Sequence, residues 1–128
     1  MVTEITHGIK VSVTTQYLES HSKPDLRYFL FSYRIIIENT SEYAVQLLRR
    51  HWNIFDSAGD YKEVKGEGVI GQQPTILPGE SYGYESGCNL STEFGSMYGT
   101  YLMKRKVDGK TFSIKIPRFE LVVPFRLN

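Results

Sequence analysis

Arg49–Glu80 reads RRHWNIFDSAGDYKEVKGEGVIGQQPTILPGE. It holds the only tryptophan of the chain, Trp52, an Asp-Ser-Ala-Gly-Asp turn, three closely spaced glycines and a Pro-Gly stop. Gly66-Glu67-Gly68-Val69-Ile70-Gly71 matches G-x-G-x-x-G. In a dinucleotide fold such glycines lead into a helix whose N-terminus holds a pyrophosphate. Here Gln72-Gln73-Pro74 follows the last glycine, and Pro78-Gly79 comes soon after. Those prolines leave no room for a helix, so the match fails its own structural condition. The stretch reads instead as strand, turn, strand and glycine loop or bulge.

The flanking chain reads the same way. Ile9, Val11, Val13 and Tyr17 alternate with Lys10, Ser12, Thr14 and Gln16, the period of a half-buried strand. Phe29, Phe31, Tyr33, Ile35 and Ile37 form the longest clean alternation, closed by Asn39-Thr40-Ser41 turn chemistry. Tyr43 to Phe55 has Leu48, Trp52 and Ile54 on one parity and Val45, Leu47 and Phe55 on the other. Apolar groups on both faces suit a central strand, or one that bulges midway. Asp56–Asp60 predicts a hairpin loop with Gly59 at positive φ, returning along Tyr61–Val64. Tyr82, Tyr84, Ser86 and Cys88 predict a further strand, and Asn89–Gly95 a loop with room for one helical turn. Met97–Lys104 and Thr111–Ile116 flank Asp108-Gly109, a strong hairpin signal. A last strand is expected over Phe119–Phe125, with Pro117 and Pro124 placing its ends at a sheet edge.

Eight or so short strands without a sustained helical period predict an all-β fold. The expected form is an antiparallel sandwich of the immunoglobulin or fibronectin type III kind, with Trp52 in its core. At 128 residues the chain is read as one domain, 1–128, long enough for a core without staples. Seven Phe and nine Tyr tilt the composition toward strands. A formal net charge of +1, with acids and bases mixed, predicts no nucleic-acid partner. One cysteine, Cys88, excludes an internal disulfide and favours a reducing cytoplasm. The longest aliphatic runs, Ile35–Ile37 and Leu121–Val123, are far too short to insert into a membrane.

Catalytic and metal chemistry finds only fragments. Gly79-Glu80-Ser81-Tyr82-Gly83 matches G-x-S-x-G, but no His follows His51, and Ser81 reads as opening a strand after a turn where the elbow needs a helix. His7, His21 and His51 lack zinc spacing, and Asp56, Asp60 and Glu63 lack the rest of a calcium loop. Neither a catalytic set, a metal site nor a cofactor is therefore expected, and the chain is read as a non-enzyme. Arg49 and Arg50 alternate faces, and one of them is expected to pair with an acid. The candidate anion- or partner-binding loop is Gly66, Gly68 and Gly71 with Lys62, Lys65 and Arg50, its amides forming a nest beside the cations. The basic run Lys104-Arg105-Lys106 lacks interleaved aromatics and reads as a charged edge.

Taken in order, Val45–Trp52, Gly66–Pro74, Leu77–Glu80, Tyr84–Gly87, Gly95–Tyr101 and Phe112–Pro117 resemble the ApaG family over nearly the whole chain. That resemblance implies a fibronectin-type-III-like sandwich in a small bacterial cytoplasmic protein linked to Co²⁺/Mg²⁺ resistance or efflux. Similar domains in eukaryotic F-box proteins and a polymerase-delta-interacting protein imply a protein partner. A homodimer is left open, and no catalytic residues are carried over. Arg50-His51 ahead of Trp52 stands where relatives are expected to have Arg-Tyr or Arg-His, and the Lys104–Lys106 run is expected to be peculiar to this chain. The alternative function is weak pyrophosphate or nucleotide binding through Gly66–Gly71.

Overall fold

The computed structural model describes residues 1–124. Nine strands make up the described chain: β1 (Val2–Thr6), β2 (Ile9–Tyr17), β3 (Phe29–Asn39), β4 (Val45–Asp56), β5 (Tyr61–Glu67), β6 (Thr75–Ile76), β7 (Ser81–Leu90), β8 (Phe94–Arg105) and β9 (Thr111–Val122). The described helical segments are two single 3-10 turns, Glu19–His21 and Pro24–Leu26. All strand pairs are antiparallel. One sheet has the order β1-β2-β3-β7; the other runs β5-β4-β8-β9, with β6 paired to the start of β4. The two sheets face each other as a fibronectin-type sandwich. After Gly71 the chain runs through Pro74 into β6 rather than into a helix.

The core lies between the sheets and follows the alternation of the sequence. Odd residues of β2 and β3 point inward, from Ile9 to Val13 and from Phe29 to Ile37. Tyr84, Cys88 and Leu90 of β7 do the same. Tyr33 of one sheet meets Trp52 and Phe119 of the other with ring centroids 5.5 and 5.7 Å away, and Trp52 and Phe119 are edge to face at 5.8 Å. These separations are in the favourable range for aromatic pairs.

Two strands change inward parity midway, each by a bulge. On β4 the register with β8 shifts between Leu47 and Arg49, so Leu48 is an extra residue. Val45 and Leu47 are buried before it, and Trp52 and Ile54 after it. On β9 the shift lies opposite Met97/Gly99, where Pro117 and Arg118 together face one residue of β8. Ile114 and Ile116 are buried before that point, and Phe119, Leu121 and Val123 after it. Proline, which cannot donate to a ladder, sits where a bulge leaves one residue unpaired.

Three sequence expectations need correction. Thr111–Ile116 and Phe119–Phe125 are not two strands but one, carried through Pro117 by the bulge. Phe125 itself lies outside the described residues. Asn89–Gly95 holds no helical turn, because β7 runs on to Leu90 and β8 starts at Phe94. The first strand, Val2–Thr6, had no signal: Val2 and Ile5 are exposed, and backbone pairing to β2 holds it.

Asn39, fully buried at the end of β3, ties the sheets together. Its Nδ2 donates to Tyr43 O and Ile76 O at 2.8 and 2.9 Å, and its Oδ1 accepts from Ser41 N at 3.0 Å. All described buried side-chain polar atoms have a partner.

Trp52→Ala empties the centre of the aromatic triad. It is expected to cost about 3–5 kcal/mol in urea unfolding. A loss under about 1 kcal/mol would contradict the placement.

Candidate functional site

The glycine segment is a tight turn leaning on β4. Gly68 N donates to Leu48 O at 2.8 Å, and Val69 and Gln72 exchange backbone bonds at 2.8 and 2.9 Å. Between them Ile70 and Gly71 both have positive φ, 47° and 72°, as a type I′ turn requires. Gly68 is fixed by space as well as φ: a Cβ there would lie 2.1 Å from Gln72 O. Three amides of the segment are thus committed to carbonyls.

Arg50 lies across the ladder from Gly66 and points inward with Trp52 and Ile54. Its Nη1 donates to Glu67 O at 3.1 Å and Gly68 O at 2.9 Å. The guanidinium covers the bare Cα of Gly66, where a Cβ would come within 2.8 Å of it. Carbonyls, rather than the acid expected from the sequence, hold this arginine. Among the described residues neither Arg49 nor Arg50 forms an ion pair.

Arg50 lines a cleft of about 400 Å³ that opens between β5 and β7, the free edges of the two sheets. Lys62 and Val64 contribute one wall; Tyr33, Tyr84, Ser86 and Cys88 contribute the other. Tyr84 and Tyr101 join their hydroxyls beneath it. Burial raises the Tyr33, Tyr84 and Tyr101 phenols above their ordinary value, while the Arg50 charge pulls each the other way. Burial likewise raises the Cys88 thiol.

The strand period divides the predicted site residues. Lys62 and Gly66 face the cleft side of β5 with Arg50. Lys65, one position off that parity, faces outward, where it lies 3.9 Å from Glu63. Gly71 caps the turn with open space around it. The structure therefore gathers Arg50, Lys62 and Gly66, places Gly68 and Gly71 in the turn beside them, and sends Lys65 to the other face.

That outer face carries a second feature. Phe55 of β4 packs against Tyr61 of β5 at 4.8 Å and stacks on Tyr98 of β8 at 6.1 Å. Phe55 and Tyr61 remain 37 and 48% exposed. Polar groups flank them: Tyr61 Oη donates to Asn53 Oδ1 at 2.5 Å, and His51 Nε2 meets Glu63 Oε2 at 2.6 Å. The His51 contact and the Lys65 charge hold the Glu63 carboxyl below its usual range.

Asp56, one of the three acids that lack the rest of a calcium loop, clamps two loops. Its Oδ2 accepts from Ser91 N and Ser91 Oγ at 2.7 and 2.6 Å, and its Oδ1 accepts from Thr92 Oγ1. Burial pushes this carboxyl up, but the hydrogen bonds from Ser91 and Thr92 outweigh it and hold the group below the ordinary carboxylate range. Among the described residues no three His, Cys, Asp or Glu gather where they could hold a metal. Ser81 of the G-x-S-x-G match opens β7.

A family model described as the ApaG domain matches residues 19–105. Curated relatives named Protein ApaG, from Brucella canis and Sinorhizobium fredii, are each 47% identical over 124 residues, covering 97% of this chain and 95% of theirs. A crystal structure of a Bordetella pertussis protein bearing the name ApaA superposes with TM-score 0.87 at 40% identity, covering 91% of this chain and 94% of that one. A second X-ray structure superposes with TM-score 0.89 at 42% identity, covering 98 and 94%.

Gly68→Val is expected to destabilise by about 2 kcal/mol or more, against under about 0.5 for Glu67→Ala, in the same urea assay. For Asp56 the lowered folded value means stabilisation that is present above the unfolded pKa of about 3.9 and lost as pH falls through the folded one. Asp56→Asn should therefore cost about 1–2 kcal/mol at neutral pH. The gap to the native chain should close below about pH 4. A gap unchanged at low pH would contradict the clamp.

Proposed function

The chain belongs to the ApaG domain family, and on that premise we propose that it is a non-enzymatic binding module that acts through a protein partner in the bacterial cytoplasm. The single observation that carries this reading is the aromatic cluster on the outer face of β4, β5 and β8, with Phe55 and Tyr61 exposed and Tyr98 half-buried beside them. Aromatic side chains ringed by polar groups are the composition of a protein interface. No helix among the described residues is long and apolar enough to cross a membrane.

The association with Co²⁺/Mg²⁺ resistance or efflux enters this reading indirectly. The partner, not this chain, handles the ion, in keeping with the want of a gathered ligand set among the described residues. The proposed unit is the whole of residues 1–128. Strands β1, β2 and β9, outside the matched 19–105, pair into the same two sheets as the rest, which supports treating the chain as one domain.

The test is affinity capture from bacterial lysate, with and without Co²⁺ or Mg²⁺, using the native chain and a Tyr61→Ala/Tyr98→Ala variant shown to keep its unfolding midpoint. A specific protein retained by the native chain should fall at least about tenfold with the variant. Retention that ignores the two tyrosines would remove the assignment of this face.

A further inference from the structure

The cleft between β5 and β7 carries two cations, Arg50 and Lys62, and no acid among its lining residues. Arg50 is half-buried, and both Nη1 hydrogens are committed to Glu67 O and Gly68 O. With its plane lying over Gly66, the guanidinium cannot turn freely. Its other edge, Nε and Nη2, makes no hydrogen bond to any described residue. That edge is the two-pronged donor that a planar carboxylate meets with parallel bonds. Since no described buried side-chain polar atom lacks a partner, that edge is open to solvent and free to meet a ligand.

The walls argue for the rest of the ligand. Trp52, Met97 and Val69 are buried apolar groups that line the space. Ile70, also on the lining, holds φ 47° although it is β-branched. That conformation costs about 1–3 kcal/mol, and such outliers gather at ligand clamps. A volume of about 400 Å³ is in the lower range of small-molecule sites. Polyphosphate suits the site less well, because three of the turn's amides are already bonded to carbonyls and cannot form a nest for its charges.

We propose that this cleft binds a small organic monocarboxylate, its head on the Nε/Nη2 edge of Arg50, with Lys62 near the mouth and its apolar body against Val64 and Ile70, above the buried Trp52 and Met97. This site is separate from the outer aromatic face, which lies on the other side of the same sheet.

The chain has one tryptophan, so the Trp52 indole N–H gives a single resonance to follow. The probes are 3-phenylpropionate, its neutral amide and inorganic pyrophosphate, each titrated into the full chain. 3-Phenylpropionate should move the indole resonance saturably with a Kd near or below about 1 mM, and the amide should bind at least about tenfold more weakly. Lys62→Gln, at an exposed position that leaves the fold intact, should weaken the carboxylate about threefold, and added salt should do the same. Arg50→Lys, which forfeits the two-pronged edge, should weaken it at least about tenfold if the variant folds. An unmoved indole at about 20 mM 3-phenylpropionate would overturn the proposal. So would equal binding of the amide, indifference to Lys62→Gln, or pyrophosphate acting on the Ile70–Gly71 turn while 3-phenylpropionate leaves Trp52 still.

Discussion

A strand has two faces and a period of two, and it cannot hold residues of both parities against one core without an added residue. Everything in this sandwich depends on how β4 and β9 meet that constraint. Leu48 is the extra residue on β4, and Pro117 with Arg118 forms the bulge on β9. Without the first, Val45 and Leu47 would turn away from the core that Trp52 and Ile54 enter. Without the second, Ile114 and Ile116 would lose the company of Phe119 and Leu121. The Leu48 bulge has a further effect. Its carbonyl accepts from Gly68 N and from Gln73 Nε2 at 2.8 and 2.9 Å, so the irregularity in β4 is also what seats the glycine turn.

The sheet β5-β4-β8-β9 consequently works on both sides. Its inner face gives the aromatic triad and, toward the open edge, an arginine held by carbonyls. Its outer face gives exposed aromatics set among polar pairs. Gly66 links the two, because its missing side chain lets Arg50 lie flat where any larger residue would collide. A basic group at the boundary of an apolar core is thereby kept in one orientation without an acid to neutralise it.

The alternation of β2, β3 and β7 was readable directly, since each has one buried and one wet face. Trp52 reads as core from its place on a central strand, and the double-sided apolar content of β4 suits either a central strand or a bulge; β4 has both. Edge strand β1 was not readable, because it buries no face and is held by ladder bonds alone. Pro117 looked like a boundary because a ladder cannot use it; only the pairing with β8 reveals that the strand continues. Of the loop set proposed from sequence, the parity of β5 already separates Lys62 from Lys65, although closeness in sequence suggested one cluster. The opposite wall of the cleft could not be seen at all: Tyr33 and Tyr84 come from the other sheet, and nothing local marks them as neighbours of Arg50. Asp56 was hidden for the same reason, its partners Ser91 and Thr92 being 35 and 36 residues away.

The turn at Ile70–Gly71 has one more consequence. Nothing packs on Gly71, and the strands on either side are secured by Leu48 and by β6. Chain length there is therefore nearly free: lengthening such a connection costs only about 0.6 kcal/mol per doubling. Extra residues spliced in at this tip would hang beside the opening between the sheets and leave the ladder untouched. The fold thus has a built-in place to acquire a cover of variable reach, which would change what can enter without redesigning what lies inside.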